Sequence, residues 1–138
     1  MAYTIQKVDY FYTTVKDQPG EAFKLLTIFE ELGLNLLAFT AIPVGPNSTQ
    51  LAIFPEDADK FKHEAQNAQM VLDGPHKAFL VQGDDELGAL APIHQKLNDA
   101  NINIYSSCGV ADGKGSYGYL IYVKPDDFER AVATLDLK

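Results

Sequence analysis

Residues 17–39 read DQPGEAFKLLTIFEELGLNLLAF, which is a polar turn, an amphipathic stretch and a short apolar run. In the amphipathic stretch Ala22, Leu25, Phe29 and Leu32 follow the spacing of one helical face. The apolar run that follows Gly33 is typical of a strand. These signals predict a turn, a helix and a strand, in that order.

The same order of signals returns 68 residues later, where residues 85–107 read DELGALAPIHQKLNDANINIYSS. The helical spacing recurs at the same offset, on Leu90, Ile93, Leu97 and Ala100. Residues 11–42 lie over residues 79–110 without a gap. We interpret the match as an internal duplication.

Further along, the second copy is expected to carry a loop two residues longer, which changes the offset to 70. That change aligns residues 51–57 with residues 121–127, so that each segment ends in a proline followed by two acidic residues. Such a tripeptide is typical of a helix start, because proline suits the first turn and acids suit the positive end of the dipole. A second helix is therefore predicted in each copy.

Each copy is predicted to fold as strand, helix, strand, strand, helix, strand, the ferredoxin-like βαββαβ order of the α+β class. Residues 8–15 are predicted to form the first strand, and Gly45-Pro46-Asn47-Ser48 a hairpin turn. The expected modules are residues 1–74 and 75–138. Because Pro92 lacks an amide proton, we expect a late or distorted start of its helix.

The fourth strands are the least regular part of the pattern. In copy one this strand is predicted over residues 68–73 and is broken by Gly74-Pro75. Copy two has only residues 135–138 left for it. Either that strand is a stub, or the N-terminal residues 3–6 complete the sheet by an exchange between the copies.

The composition excludes several classes of function. With 46% hydrophobic and 22% charged residues, the 138-residue chain is typical of soluble globular proteins. Eleven basic against nineteen acidic residues give a net charge of -8, which argues against nucleic acid and anionic lipid as partners. The single cysteine and the scattered histidines give no reason to expect a disulfide, a metal or a cofactor. Without a secretion signal or a membrane-spanning run, a cytoplasmic location is expected.

The Asp-x-Pro-Gly turn at residues 17–20 and the strand start Gly33-Leu34-Asn35-Leu36 resemble the ACT domain, a small ligand-binding regulatory module. With Asp85-Glu86-Leu87-Gly88 and Asn101-Ile102-Asn103-Ile104, the whole chain resembles free-standing proteins built from two ACT domains and no catalytic domain. The resemblance implies modules that share or pair antiparallel sheets, with their helices on one face. It also implies that an amino acid binds where the turn of one module meets its neighbour.

Carried over to this chain, the resemblance implies seven ligand-binding positions and no catalytic residue. They are Asp17, Pro19, Gly20 and Asn35 in copy one, and Asp85, Gly88 and Asn103 in copy two. Serine-binding members carry a histidine two positions before the turn aspartate, where this chain has Val15 and Gly83, so serine is not supported. Leu87 replaces the turn proline in copy two, so the two sites are expected to differ in ligand or in occupancy.

Elementary chemistry gives these residues two interpretations. A glycine and free amides at a helix start suit a ligand carboxylate, an aspartate suits its ammonium group, and an asparagine offers a donor and an acceptor. The alternative is structural. Asp17 and Asp85 would cap the helices, the glycines would serve the turns, and Asn35 and Asn103 would satisfy local backbone groups.

The predicted function is that of a non-catalytic regulatory or sensor protein that binds an amino acid and forms a homodimer through sheet edges or helical faces. One alternative is a scaffold without a small ligand that modulates a partner enzyme or transporter. An enzyme on the same frame is a third hypothesis, because fold does not fix function.

Four other signals are interpreted as structural. The G-x-G-x-x-G at residues 113–118 precedes a strand pattern, so it is predicted to be a hairpin rather than a nucleotide site. Cys108 is predicted to be a buried thiol, and His94 a partly buried side chain with one hydrogen bond. The acidic residues 56–59 and 84–86 are predicted to lie at solvated helix starts.

Overall fold

The computed structural model describes residues 3–137, within which six strands and four helices form. The elements are β1 (Tyr3–Lys16), α1 (Glu21–Glu31), β2 (Leu36–Pro43), β3 (Ser48–Pro55), α2 (Ala58–Asn67), β4 (Asp73–Asp84), α3 (Ala91–Asp99), β5 (Ser106–Ala111), β6 (Ser116–Tyr122) and α4 (Pro125–Thr134). Their order confirms the predicted α+β class with βαββαβ-type topology.

The chain divides into two compact units. The first unit consists of Asp9–His76. The second unit combines the residues up to Val8 with the residues from Lys77 onward. Strands β1 and β4 each contribute residues to both units, since β1 begins at Tyr3 and β4 continues past His76.

In the first unit, β3 pairs antiparallel with β1 and with β2. Three phenylalanines on different elements meet above these strands. The ring of Phe61 on α2 lies 4.9 Å from that of Phe11 on β1 and 5.2 Å from that of Phe29 on α1, measured between ring centroids. Phe29 and Phe61 are 1% and 0% exposed, so this cluster fixes both helices to the strands.

In the second unit, β6 pairs antiparallel with β4 and with β5. The core is again held by an aromatic pair, Phe79 on β4 and Phe128 on α4, whose rings stack with centroids 4.7 Å apart. Tyr3 and Ile5 at the start of β1 pack against this core. Strand β1 therefore begins five residues before the predicted first strand.

The hydrogen-bond register overturns the expected two-residue insertion. The amide of Val44 donates to the carbonyl of Ser48, and the amide of Asp112 donates to the carbonyl of Ser116. The two hairpins therefore close in the same number of residues, and both positions differ by 68. The predicted longer loop is absent, and the predicted hairpin turn at residues 45–48 is confirmed.

The offset of 70 failed because the two proline-acid tripeptides lie at different places in the fold. Pro55 is the buried last residue of β3, and the helix after it begins at Ala58 with Asp57 as its N-cap. Pro125, by contrast, is the first residue of α4. The similarity of the tripeptides is therefore not a structural equivalence.

The prediction of a fourth strand broken at Gly74-Pro75 was wrong. Residues 68–72 lie outside any strand, and β4 runs from Asp73 through Gly74 and Pro75. Gly74 has φ of 152°, and a Cβ there would lie 2.9 Å from the carbonyl oxygen of Tyr10. The missing side chain lets β4 approach β1 closely, so the glycine permits the strand instead of ending it.

The two remaining expectations concern α3 and the end of the chain. The first helix of copy two starts late, as predicted, because α3 begins at Ala91 with Pro92 in its first turn. Residues 135–137 form no strand, and Leu135 is instead buried in the core of the second unit. None of the helices within residues 3–137 has both the length and the apolar character needed to span a membrane.

Candidate ligand-binding site

Neither turn aspartate caps a helix. Helix α1 is preceded by Gly20 and helix α3 by Leu90, and neither cap position makes a side-chain hydrogen bond to its helix. The capping interpretation of Asp17 and Asp85 is therefore wrong. Both residues are exposed.

Each turn is tied to the tip of a hairpin by its backbone. The amide of Asp17 donates to the carbonyl of Asn47 at 3.0 Å, and the amide of Asp85 donates to the carbonyl of Gly115 at 2.9 Å. The glycine that follows in each turn has positive φ, 90° at Gly20 and 74° at Gly88, with no atom within 4 Å of a Cβ placed there. Glycine is needed at both positions for conformation, and the space in front of them is open.

The predicted asparagines lie at the other end of the strands. Lys16, just before the first turn, pairs with Ser48 at the start of β3, whereas Leu36, just after Asn35, pairs with Pro55 at its end. The eight residues of β3 extend over about 23 Å. The structure therefore keeps Asp17, Pro19 and Gly20 together but does not bring Asn35 to them.

The second unit has the same arrangement. Asp84 pairs with Ser116 at the start of β6, and the amide of Tyr105 donates to the carbonyl of Tyr122 at its end. Asn103 belongs to that far end, since it lies just before β5. Asp85 and Gly88 are thus together in one turn, and Asn103 is remote from them.

Asn35 has a local partner. Its side-chain amide donates to the Glu56 carboxylate at 2.8 Å, and its backbone carbonyl accepts the backbone amide of Glu56 at 2.9 Å. It also lines a separate cavity of about 430 Å³ with Leu26 and Glu30. The structural interpretation of Asn35 as a local hydrogen-bonding residue therefore has direct support, with a side-chain partner instead of the backbone one expected.

A cavity of about 470 Å³ adjoins the second turn. Asp85, Glu86 and Gly88 line it on the turn side, and Tyr117 and Tyr119 line it from β6. Burial raises the pKa of Tyr117 above its ordinary value, with smaller effects from nearby charges, so its hydroxyl stays protonated at neutral pH. None of the described residues that line this cavity is a lysine or an arginine, so its charged walls are anionic.

Tyr119 is held in that cavity by two neighbours. Its ring lies so close to Gly109 on β5 that a Cβ at residue 109 would be 2.8 Å from Tyr119 Cδ1. Its hydroxyl lies 2.6 Å from Nε2 of His94 on α3, which confirms the single hydrogen bond predicted for that histidine. The partial burial predicted for His94 was wrong, because the residue is exposed. Sequence reasoning missed Tyr119 and Gly109, although the correct hairpin register would have placed them opposite each other.

Three of the signals interpreted as structural have clear outcomes. Cys108 is exposed, not buried as predicted, because it lies on β5, whose residues are all exposed. Asp57 caps α2, since its Oδ1 accepts the amide of Lys60 at 3.1 Å, which confirms one acidic helix start. Residues 84–86 lie at the end of β4 and in the segment that follows it, outside the first turn of α3, so that prediction was wrong. The glycines of residues 113–118 belong to the β5–β6 hairpin, as predicted.

The hairpin of the second unit contains a carboxylate that makes its stability depend on pH. The backbone amides of Lys114 and Ser116 donate to Asp112 Oδ1 at 2.7 and 3.1 Å, and they hold the pKa of that carboxyl below its ordinary value. A depressed native pKa stabilises the fold above the ordinary aspartate value of about 4, and this contribution is lost as pH falls through the native pKa.

We therefore expect the urea midpoint of Asp112→Asn to fall less than that of the wild type between pH 7 and pH 3. Asp99→Asn, which removes one charge from the C-terminal end of α3, serves as the control. Equal acid sensitivity in the wild type and in Asp112→Asn would contradict this role of the carboxylate.

Comparison with known proteins identifies solved structures with a similar fold. No protein-family model matches the sequence, and no curated protein matches it. Solved structures do match. Protein BT0572 from Bacteroides thetaiotaomicron has a TM-score of 0.75 at 14% identity, over 97% of this chain and 88% of that one. The regulatory subunit of aspartate kinase from Thermus flavus has a TM-score of 0.60 at 18% identity, over 99% and 95%.

The fold is ACT-like. A third match, the ligand-free regulatory subunit of aspartate kinase from Thermus thermophilus, has a TM-score of 0.56 at 17% identity over 99% of this chain and 95% of that one. At these identities the likeness extends to the ferredoxin-type fold. It gives no information on which residues of this chain bind a ligand.

Proposed function

We propose that this chain is a non-catalytic regulatory or sensor protein that binds an amino acid at the turn before α3. The observation that carries the proposal is the cavity of about 470 Å³ that combines two carboxylates, an open positive-φ glycine and a helix start. The shared fold with regulatory subunits of aspartate kinase supports a regulatory role.

The walls of this cavity suit a zwitterion. A ligand ammonium group fits beside Asp85 or Glu86, since both line the cavity. The ligand carboxylate has no lysine or arginine to meet among the lining residues. The Ala91 amide already donates to the Gly88 carbonyl and Pro92 has no amide proton, so the carboxylate would rely on the positive end of the α3 dipole. Gly88 would let the ligand approach the backbone without a side chain in the way.

We further propose two ACT-like modules, residues 1–74 and 75–138, with the second completed by the N-terminal segment. The packing of Tyr3 and Ile5 against the core of the second unit supports its completion by the N-terminal segment. The presence of two modules is supported by two equivalent hydrogen bonds 68 residues apart, from the Asp17 amide to the Asn47 carbonyl and from the Asp85 amide to the Gly115 carbonyl.

We propose that the protein forms a homodimer through its sheet edges. Among the described residues, β2 pairs only with β3 and β5 pairs only with β6, and neither edge strand contains a charged residue. Such edges favour pairing with another strand. If Asn35 or Asn103 contacts the same ligand as a turn, a neighbouring module must supply it, because each lies at the opposite end of the strands from the turn of its own unit.

The proposal predicts that Asp85→Asn weakens amino-acid binding about tenfold or more, because a charge-assisted hydrogen bond to the ammonium group is lost. A thermal-shift screen of the standard amino acids identifies the ligand, and calorimetry on the full chain measures its affinity. Asp99→Asn is the matched control, since Asp99 lies at the other end of α3 and outside the cavity lining.

The scaffold alternative gives the opposite result in the same screen. It is favoured by the exposed apolar face of α1, where Phe23 and Leu26 are 73% and 37% exposed. If no amino acid at millimolar concentration raises the melting temperature, the ligand-binding proposal fails and the scaffold alternative gains.

A further inference from the structure

We propose that Tyr119 and His94 make the cavity beside the second turn selective for amino acids whose side chain donates a hydrogen bond. The inference rests on the proposed function and deepens it, because it assigns a chemical class of ligand and the residues that select it. Both residues lie outside the turn that the sequence resemblance implicated.

The geometry of the pair leaves an acceptor available to a ligand. Tyr119 lines the cavity, and its hydroxyl lies 2.6 Å from His94 Nε2. When the neutral imidazole carries its proton on Nδ1, Nε2 accepts the tyrosine proton. The phenol oxygen then keeps a lone pair that can accept a hydrogen bond from a ligand.

The other polar side chains in the lining point to the same class of ligand. Asp85 and Glu86 are acceptors when ionised, and no basic side chain is found among the described lining residues. A hydroxyl, amide or ammonium group on the ligand would satisfy the Tyr119 oxygen. An apolar side chain of equal size would leave that remaining lone pair without a donor, which lowers affinity.

The first unit carries no such pair. Strand pairing sets Gly109 opposite Tyr119, and it sets Ala41 opposite Leu51 at the corresponding place 68 residues earlier. The residue at the position of His94 is Leu26. The two units thus differ at all three positions. Gly109 makes room for the tyrosine ring, so only the second unit offers a tyrosine hydroxyl that can bind a polar side chain.

The test compares ligands of nearly equal shape on the full-length chain. Calorimetry measures the dissociation constants of threonine against valine, asparagine against leucine, and lysine against 2-aminoheptanoate. In the wild type we expect at least one donor ligand to bind about tenfold more tightly than its apolar partner. In Tyr119→Phe that ratio should fall to near one, mainly through the loss of donor affinity.

Two more variants test whether the affinity ratio depends on the Tyr119–His94 pair or on packing in general. His94→Leu places the residue of the first unit on an exposed helix position and should also reduce the ratio, because the tyrosine hydroxyl loses its partner. Tyr105→Phe removes an exposed tyrosine hydroxyl that lies outside the cavity lining and should leave the ratio unchanged. A ratio near one in the wild type, or an unchanged ratio in Tyr119→Phe, overturns this inference but leaves the proposed function intact. Failure of every amino acid to bind overturns both.

Discussion

Replacing Phe61 with alanine is expected to lower the free energy of unfolding by about 3–5 kcal/mol. The Phe61 side chain is 0% exposed, and its ring lies 4.9 Å from that of Phe11 and 5.2 Å from that of Phe29. Truncation removes buried apolar surface and leaves a cavity among three elements that cannot close over it fully. Urea denaturation followed by circular dichroism measures the change through the midpoint and slope.

Phe23→Ala is the matched control for this substitution. Phe23 is also helical, but its side chain is 73% exposed, so its loss should change stability by about 0.5 kcal/mol or less. Similar midpoint shifts in the two variants would contradict the assignment of Phe61 to the centre of the first core.

Replacing Gly74 with alanine is expected to cost about 3 kcal/mol or more. Two effects add at this position. The φ of 152° is unfavourable for a residue with a side chain, and the new Cβ would lie 2.7 Å from Phe11 Cδ2 and 2.9 Å from the Tyr10 carbonyl oxygen. Because one of these neighbours is backbone, a side-chain rotation cannot remove the overlap.

Gly113→Ala separates the two effects. Gly113 has φ of 76° with no atom within 4 Å of an added Cβ, so alanine there carries only the conformational cost, about 1–2 kcal/mol. The same urea titration compares the variants. If Gly74→Ala costs no more than Gly113→Ala, the close approach of β4 to β1 is not what requires the glycine.

Local patterns predicted the helices well. The apolar spacing around Phe29 and Leu97 placed α1 and α3, and both residues are buried at 1% and 0% exposure. This succeeds because helical periodicity reports which face of a single element is buried, whatever that element packs against. The hairpin turns were found for the same reason, since glycine, asparagine and proline act within a few residues.

Pairing between strands could not be predicted in the same way. Gly74 and Pro75 resemble a strand end, yet β4 continues through them. It does so because Gly74, which has no side chain, can lie close to Phe11, a residue far away in sequence. The tripeptides at Pro55 and Pro125 suggested an insertion that the register does not contain. In both cases the structure depends on a residue of another strand, and the local sequence pattern does not determine how the two strands are aligned.

The candidate site shows the same division. Its turn residues, Asp85 and Gly88, followed from the local sequence, because a glycine before a helix has a local cause. The direction of β5 and β6 carries Asn103 to the opposite end of the sheet. The same hairpin brings Tyr119 to the cavity. The turn therefore has Tyr119 as a neighbour in place of the predicted Asn103, and only the pairing of β5 with β6 reveals this.

The contact between Gly109 and Tyr119 restricts the order in which such a site can arise by single substitutions. With any side chain at residue 109, a tyrosine at 119 in this position would meet a Cβ at 2.8 Å. The glycine can be present first, at the modest cost of a glycine in an edge strand. A lineage that acquires the tyrosine first passes through a less stable intermediate. The order in which the glycine comes first is therefore the more stable one, and a side chain at residue 109 costs stability for as long as Tyr119 keeps this position.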